Sequence, residues 1–235
     1  RAPTYTGDRA KENEAENIQL LFSGSQCALF CFAACLPKLL AGQPMAKNGL
    51  IVGYNVMLHN EKIFLVVTAV YMITTCALMC CGMDKSVPNN YLLLLVFTLC
   101  VSWMVAATCA KTNPIVVLEA ACLTFAVVAA ITFYAFTTSS DFTVFGPLLF
   151  IFGFVFCTAG FLFRCFGYHL GLVYSIIGVI LFSFYLLFDT QMIMGGDKKR
   201  YQFDEDSYIL AAVTLYLDII NIFLYILEIL AEADK

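Results

Sequence analysis

The chain has 235 residues, 61% of them hydrophobic and 13% charged, against roughly 45–50% and 25% in a soluble domain, so it reads as an integral membrane protein. Its net charge of -4 is scattered, with no basic patch or Arg-rich helix to hold a phosphate backbone. Nucleic acid is excluded as a partner.

In chain order, residues 1–17 (RAPTYTGDRAKENEAEN) are polar, carry both signs of charge and show no secretory signal pattern. They read as a solvated tail, and the start at Arg1 is what a fragment or processed form would give. A spanning helix needs about 20 apolar residues, because every backbone polar group must be bonded within the segment. Six or seven segments meet that requirement, at 18–40, 63–83, 91–110, 115–137, 144–166, 170–194 and 208–230. The expected fold is an all-α bundle of six to seven transmembrane helices. The first segment is the weakest: it carries Ser23, Gly24, Ser25 and Gln26, then Pro37 and Lys38. A glycine-punctuated linker follows at 41–62, able to dip into the membrane. The organisation is therefore a tail (1–17), a weakly apolar first helix and linker (18–62), a transmembrane domain (63–230) and a short C-terminal tail (231–235).

The later linkers are short and combine turn residues with charge: DKSVPNN (84–90), KTNP (111–114) and TTSSD (137–141). GGDKKRYQFDED (195–206) is the most charged interior stretch and must face water. With the N-terminus cytosolic, that side holds Arg1, Arg9, Lys11, Lys85, Lys198, Lys199 and Arg200, against Lys38, Lys47, Lys62, Lys111 and Arg164 on the other. The excess favours this orientation.

Eleven cysteines lie in or beside apolar runs and are expected to pack as small hydrophobes. Cys27, Cys31 and Cys35 share one helix face, but no CxxC spacing or nearby His completes a ligand set. Cys80, Cys81 and Cys165 are juxtamembrane candidates for palmitoylation.

An Asp near the centre of a spanning helix costs at least ~2.5–3.5 kcal/mol, so an intramembrane acid is by default functional. Asp218, in YLDIINIFLYILEIL (216–230), lies about ten residues into its segment, and Thr214, Asn221 and Tyr225 share its face. Asp189, in SFYLLFDTQMIM (183–194), has Tyr185 one turn away and Thr190 and Gln191 beside it, a polar notch in its segment. The two acids are expected at one level provided that the sixth segment continues as helix past Gly195 and Gly196 toward Tyr201. Two neighbouring carboxylates in a low dielectric share a proton, which makes the pair a candidate pH sensor. The plain alternative is a structural hydrogen bond between helices. Glu119, five residues after Pro114, falls where the helix macrodipole favours an anion; it is a candidate for the mouth of a cation pathway or a partner of the pair. Glu228 reads as interfacial.

The two histidines, His59 and His169, have no acid or Cys at ligand spacing, which argues against a zinc hydrolase. The last segment has no Lys for a retinal Schiff base, and the chain shows no Walker loop, nucleophile elbow or Arg ladder. An enzyme is not expected, and neither is a bound cofactor.

LVYSIIGVILFSFYLLFDTQMIMGG (172–196), EDSYILAAVTLYLDIINIFLYIL (205–227), TNPIVVLEAACLTFAVVAAITFYAF (112–136) and TTSSDFTVFGPLLF (137–150) resemble the Bax inhibitor family, specifically its Lifeguard branch. The likeness covers roughly residues 63–230 and is most specific where FDTQ and LYLDIIN stand in order. The resemblance implies a seven-helix bundle with the last helix central, in endoplasmic reticulum or Golgi membranes. It implies a pH-sensitive calcium leak that restrains cell death, with Asp189 and Asp218 as sensor, gate and transient Ca2+ ligands. Thr214, Asn221, Tyr185, Tyr225 and Glu119 become possible supports of the ion pathway. Lys85 is the basic residue available after the second helix, a position whose base pairs with the sensor in some bacterial relatives. Implied partners are membrane lipid, Ca2+, protons, and apoptosis regulators or calcium-release channels. The family's usual Arg-Lys-Val-Tyr type stretch has no counterpart in residues 1–62, and Val101 stands where a Glu is common. The rival expectation is a non-conducting membrane adaptor that binds death regulators or receptors.

Overall fold

The structure is a computed structural model, and it describes residues 61–80, 88–165, 171–195 and 208–234. The first predicted segment and nearly all of its linker, together with Lys85, lie outside the described residues. Those described form six helices: α1 (Glu61–Cys80), α2 (Asn89–Cys109), α3 (Pro114–Thr137), α4 (Gly146–Cys165), α5 (Leu172–Met194) and α6 (Tyr208–Ala233). They carry no strand. All of α2 to α6 are long and apolar enough to cross a membrane, while α1 has a shorter apolar core, Val66–Leu78. The chain is a multi-pass integral membrane protein.

Local chemistry sets the ends. Pro114 opens α3 at a position where a missing N–H costs nothing, and the Asn113 side chain accepts from the Ile115 N–H at 3.2 Å. A single 3-10 turn, Thr143–Phe145, precedes α4. The Asp141 carboxylate holds it, accepting from the Thr143 N–H at 3.0 Å and its hydroxyl at 2.6 Å. At Gly195 the chain takes φ 57, open to glycine at little cost, and its N–H closes on the Gln191 carbonyl at 3.2 Å. This turn corrects one expectation: α5 stops at Met194 and does not run on to Tyr201. Another shift is at the C-terminus, where Ala231, Glu232 and Ala233 are good helix formers and α6 continues through them.

The topology follows from two polar contacts at one end of the bundle. Tyr208, first in α6, meets the start of α2 through the Tyr91 hydroxyl (3.0 Å) and the Asn90 amide (3.4 Å). Gln191, near the end of α5, bonds the loop that follows α3. The starts of α2, α4 and α6 and the ends of α3 and α5 therefore share one end, termed the near end below.

Outward faces carry a coat of large apolar side chains, among them Leu95, Phe125, Phe133, Ile151 and Val173. Such a surface matches lipid tails and not water. Two interior clusters remain. One joins α3, α4, α5 and α6 around Phe156, Phe182, Leu186 and Ile222. The other joins α1 and α2 to the first half of α6 around Tyr71, Phe97, Val101 and Leu217. Because α6 belongs to both, it is the central helix of the bundle. Cys100 and Cys157 pack in these clusters as small apolar side chains, whereas Cys76 and Cys122 face outward.

Helix α4 approaches α5 through one arrangement used twice. Tyr185 donates to the Leu149 carbonyl at 2.8 Å and Tyr174 to that of Phe156 at 3.0 Å. Each hydroxyl lies over the glycine four residues further on, Gly153 or Gly160, where a Cβ would meet it. Filling such a contact strains a packed interface by about 1–3 kcal/mol. Gly153→Val is therefore expected to displace Tyr185 and lower the thermal unfolding temperature in detergent. An unchanged transition would show that the close approach is dispensable.

Candidate functional site

The site is assembled by the two most interior helices. Asp189 projects from the last third of α5 and Asp218 from the first half of α6; their relative exposures of 1% and 0% place both wholly inside the protein. Asp189 is five residues from the end of α5 and Asp218 ten from the start of α6. The acids meet because α6 overhangs α5 by about 7 Å at the near end, at ~1.5 Å per residue, and not because α5 is prolonged.

The Asp218 carboxyl and the Thr214 hydroxyl neighbour Asp189 across the contact of the two helices. The Thr214 hydroxyl donates to the Ala211 carbonyl at 3.1 Å, and among the described residues neither Asp189 oxygen accepts a hydrogen bond. Carboxylates only accept. A bond between the two would require that one of them hold a proton. Full ionisation would set two negative charges face to face in a poorly screened interior, where repulsion favours separation or capture of a cation.

Polar neighbours expected to serve the pair have other commitments. Asn221, on the Asp218 face, donates to the Leu217 carbonyl of its own helix at 2.8 Å. The Tyr185 hydroxyl is turned onto α4. Tyr225 packs among the rings of Phe156, Tyr174 and Phe182. Glu119 is exposed in the second turn of α3, whose start lies at the opposite end from the α3–α4 loop that Gln191 holds. It is thus far from the pair and is not its partner. Lys85 falls outside the described residues. Val101, in the place of the common family Glu, is fully buried among apolar side chains.

Gln191 reads from the sequence only as part of the polar notch beside Asp189, with no partner of its own. It is fully buried, accepts from the Phe142 N–H at 2.8 Å and donates to the Ser140 carbonyl at 3.1 Å. Standing two residues after Asp189, it points elsewhere on the helix and ties the α3–α4 loop to the end of α5 that carries the site. Its signal in the sequence is only that a polar amide interrupts an apolar helix. Gln191→Ala removes both bonds, to the half-buried Phe142 N–H and the exposed Ser140 carbonyl, at about 0.5–1.5 kcal/mol each. Faster amide exchange over 138–142 is the expected readout, and an unchanged rate would show that the loop is held by other contacts.

Comparison with known proteins shows the family. The family described as "Inhibitor of apoptosis-promoting Bax1" matches residues 19–235. The chain belongs to the Bax inhibitor family. Among its Lifeguard relatives, Protein LIFEGUARD 4 of Arabidopsis thaliana is 41% identical over 154 residues, covering 63% of this chain and 59% of that protein. Protein LIFEGUARD 2 of the same plant is 35% identical over 196 residues (77% and 79%). Mouse Protein lifeguard 3 is 27% identical over 224 residues (93% and 66%). The match thus spans less than two thirds of LIFEGUARD 4. No solved structure matches the chain.

Proposed function

We propose that this Bax inhibitor family protein is a proton-regulated calcium leak of endoplasmic reticulum or Golgi membranes, and that by lowering stored calcium it restrains cell death. The observation that carries the reading is the buried Asp189–Asp218 pair at the contact of the two central helices. Two acids are costly to place inside a membrane, and family membership gives the cost a purpose. The family's printed description, an inhibitor of a death-promoting protein, supports the cell-death half of the proposal.

With the N-terminus in the cytosol, the near end faces the cytosol and the pair samples cytosolic pH. One shared proton holds α5 and α6 together. As pH rises the proton leaves, repulsion parts the carboxylates, and calcium enters between them. Calcium takes six to eight oxygen ligands, so two carboxylates with water and carbonyls form a weak site, suited to passage and not to storage.

Purified protein in liposomes loaded with a calcium dye tests this. Calcium entry that rises between about pH 6 and 8 is expected from loss of a shared proton. Protein that is folded and inserted yet passes no calcium at any pH would sink the leak and leave the adaptor, which needs no conduction.

A further inference from the structure

Seven residues from the aspartate pair along each helix, α5 and α6 meet again at Phe182 and Tyr225. The two helices are antiparallel, so equal steps of about 10 Å keep opposing residues level. Here the contact is aromatic. The Tyr225 ring stacks on Phe182 with centroids 5.8 Å apart and 26° between planes. It also meets Phe156 at 5.8 Å and Tyr174 at 6.1 Å, edge to face. Beneath it lies Gly178, where a Cβ would stand 2.8 Å from Tyr225 Cγ and Cδ2. Glycine inside a helix costs about 1 kcal/mol relative to alanine, and the ring explains why it is tolerated here. One turn beyond, the Ser175 hydroxyl is fully buried and makes no hydrogen bond among the described residues.

Along α6, Thr214, Asp218, Asn221, Tyr225 and Glu228 recur at steps of four and three, which is one face of a helix. This polar stripe runs from the pair to an exposed carboxylate near the far end of α6. Midway, the rings close over it. We infer that the Tyr225 side chain is the gate of the α5–α6 seam on the far side of the aspartate pair. The inference rests on the leak reading for what passes through it. Side chains move between discrete rotamers, and a ring turned off Gly178 leaves a gap bordered by bare backbone, the unbonded Ser175 hydroxyl and Asn221. Those are oxygen donors for a hydrated cation. With the ring in place aromatic side chains fill the seam, and apolar constrictions block ions by excluding water.

Two readouts keep the gate separable from the leak. Tyr225→Ala should raise calcium flux at the pH where the native chain is tightest, severalfold or more. Gly178→Ala, which displaces the ring without removing it, should act in the same direction, and Tyr225→Phe, which keeps a ring over Gly178, should raise flux less than Tyr225→Ala. Independently of calcium, deuterium uptake in nanodiscs should rise over residues 217–222 in Tyr225→Ala while α1 and α2 keep their native rates. No rise at 217–222, or an equal rise over α1 and α2, overturns the gate whether or not the native chain conducts. A native chain that conducts nothing overturns the leak alone, and uptake still decides whether the ring seals the seam.

Discussion

Asp218→Asn is expected to abolish the pH response of calcium flux, bringing the ratio between about pH 8 and pH 6 to ~1. The amide has the shape of the carboxyl but does not titrate, and its N–H can donate to Asp189 at every pH. The pair then has no proton to lose, so no repulsion develops to part α5 from α6. Asp189→Asn should do the same, and the double variant should add nothing to either single change, since one shared proton can be removed only once. Thermal stability should be kept or increased, because a neutral hydrogen-bonded pair avoids burying charge. A structural hydrogen bond makes the opposite prediction: stability would respond while the pH profile of flux stayed native. Either single variant with a native pH profile rules out the sensor.

Leu217→Ala is expected to cost about 2–5 kcal/mol, as large-to-small changes in packed interiors do. Leu217 is fully buried, next to Asp218, and packs with Tyr71 of α1, Phe97 of α2 and Val213 of α6. Lipid tails are as apolar as leucine, so the helices are held by close packing and not by removal of apolar surface from water. A void in this cluster therefore loosens the α1–α2 pair from α6. A lowered unfolding temperature in detergent, with faster proteolysis near 84–90, would report it. Phe133→Ala is the control, since Phe133 is 71% exposed on α3 and faces outward. Equal losses at the two positions would mean that the cluster does not dock the pair of helices.

How far the site was legible depends on the range of the interaction. Asp218 and Asp189 stand out because each breaks an apolar run, and the cost of a buried acid needs no partner to be recognised. Their pairing was also expected, though through a longer α5, and the turn at Gly195 shows that the offset comes from α6. Tyr185 and Tyr225 share helical faces with the acids, so periodicity assigned them to the pair. Periodicity orders residues around one helix and is blind to the helix opposite. The glycines at 153 and 178 decide where those rings go, by leaving room on α4 and on α5 itself.

By itself, the sequence determined that the chain crosses a membrane several times, where the six described helices lie to within a few residues, and which two acids are out of place. Those properties follow from hydropathy and backbone hydrogen bonding, which act within a single segment. Only the tertiary structure decided that α6 joins both interior clusters, that Gln191 ties down the α3–α4 loop, that Glu119 stands far from the pair, and that an aromatic cluster closes the seam at Tyr225. These depend on contacts between segments tens of residues apart, and in lipid such contacts are chosen by shape: a glycine where a ring must fit, and a carbonyl where a hydroxyl can reach.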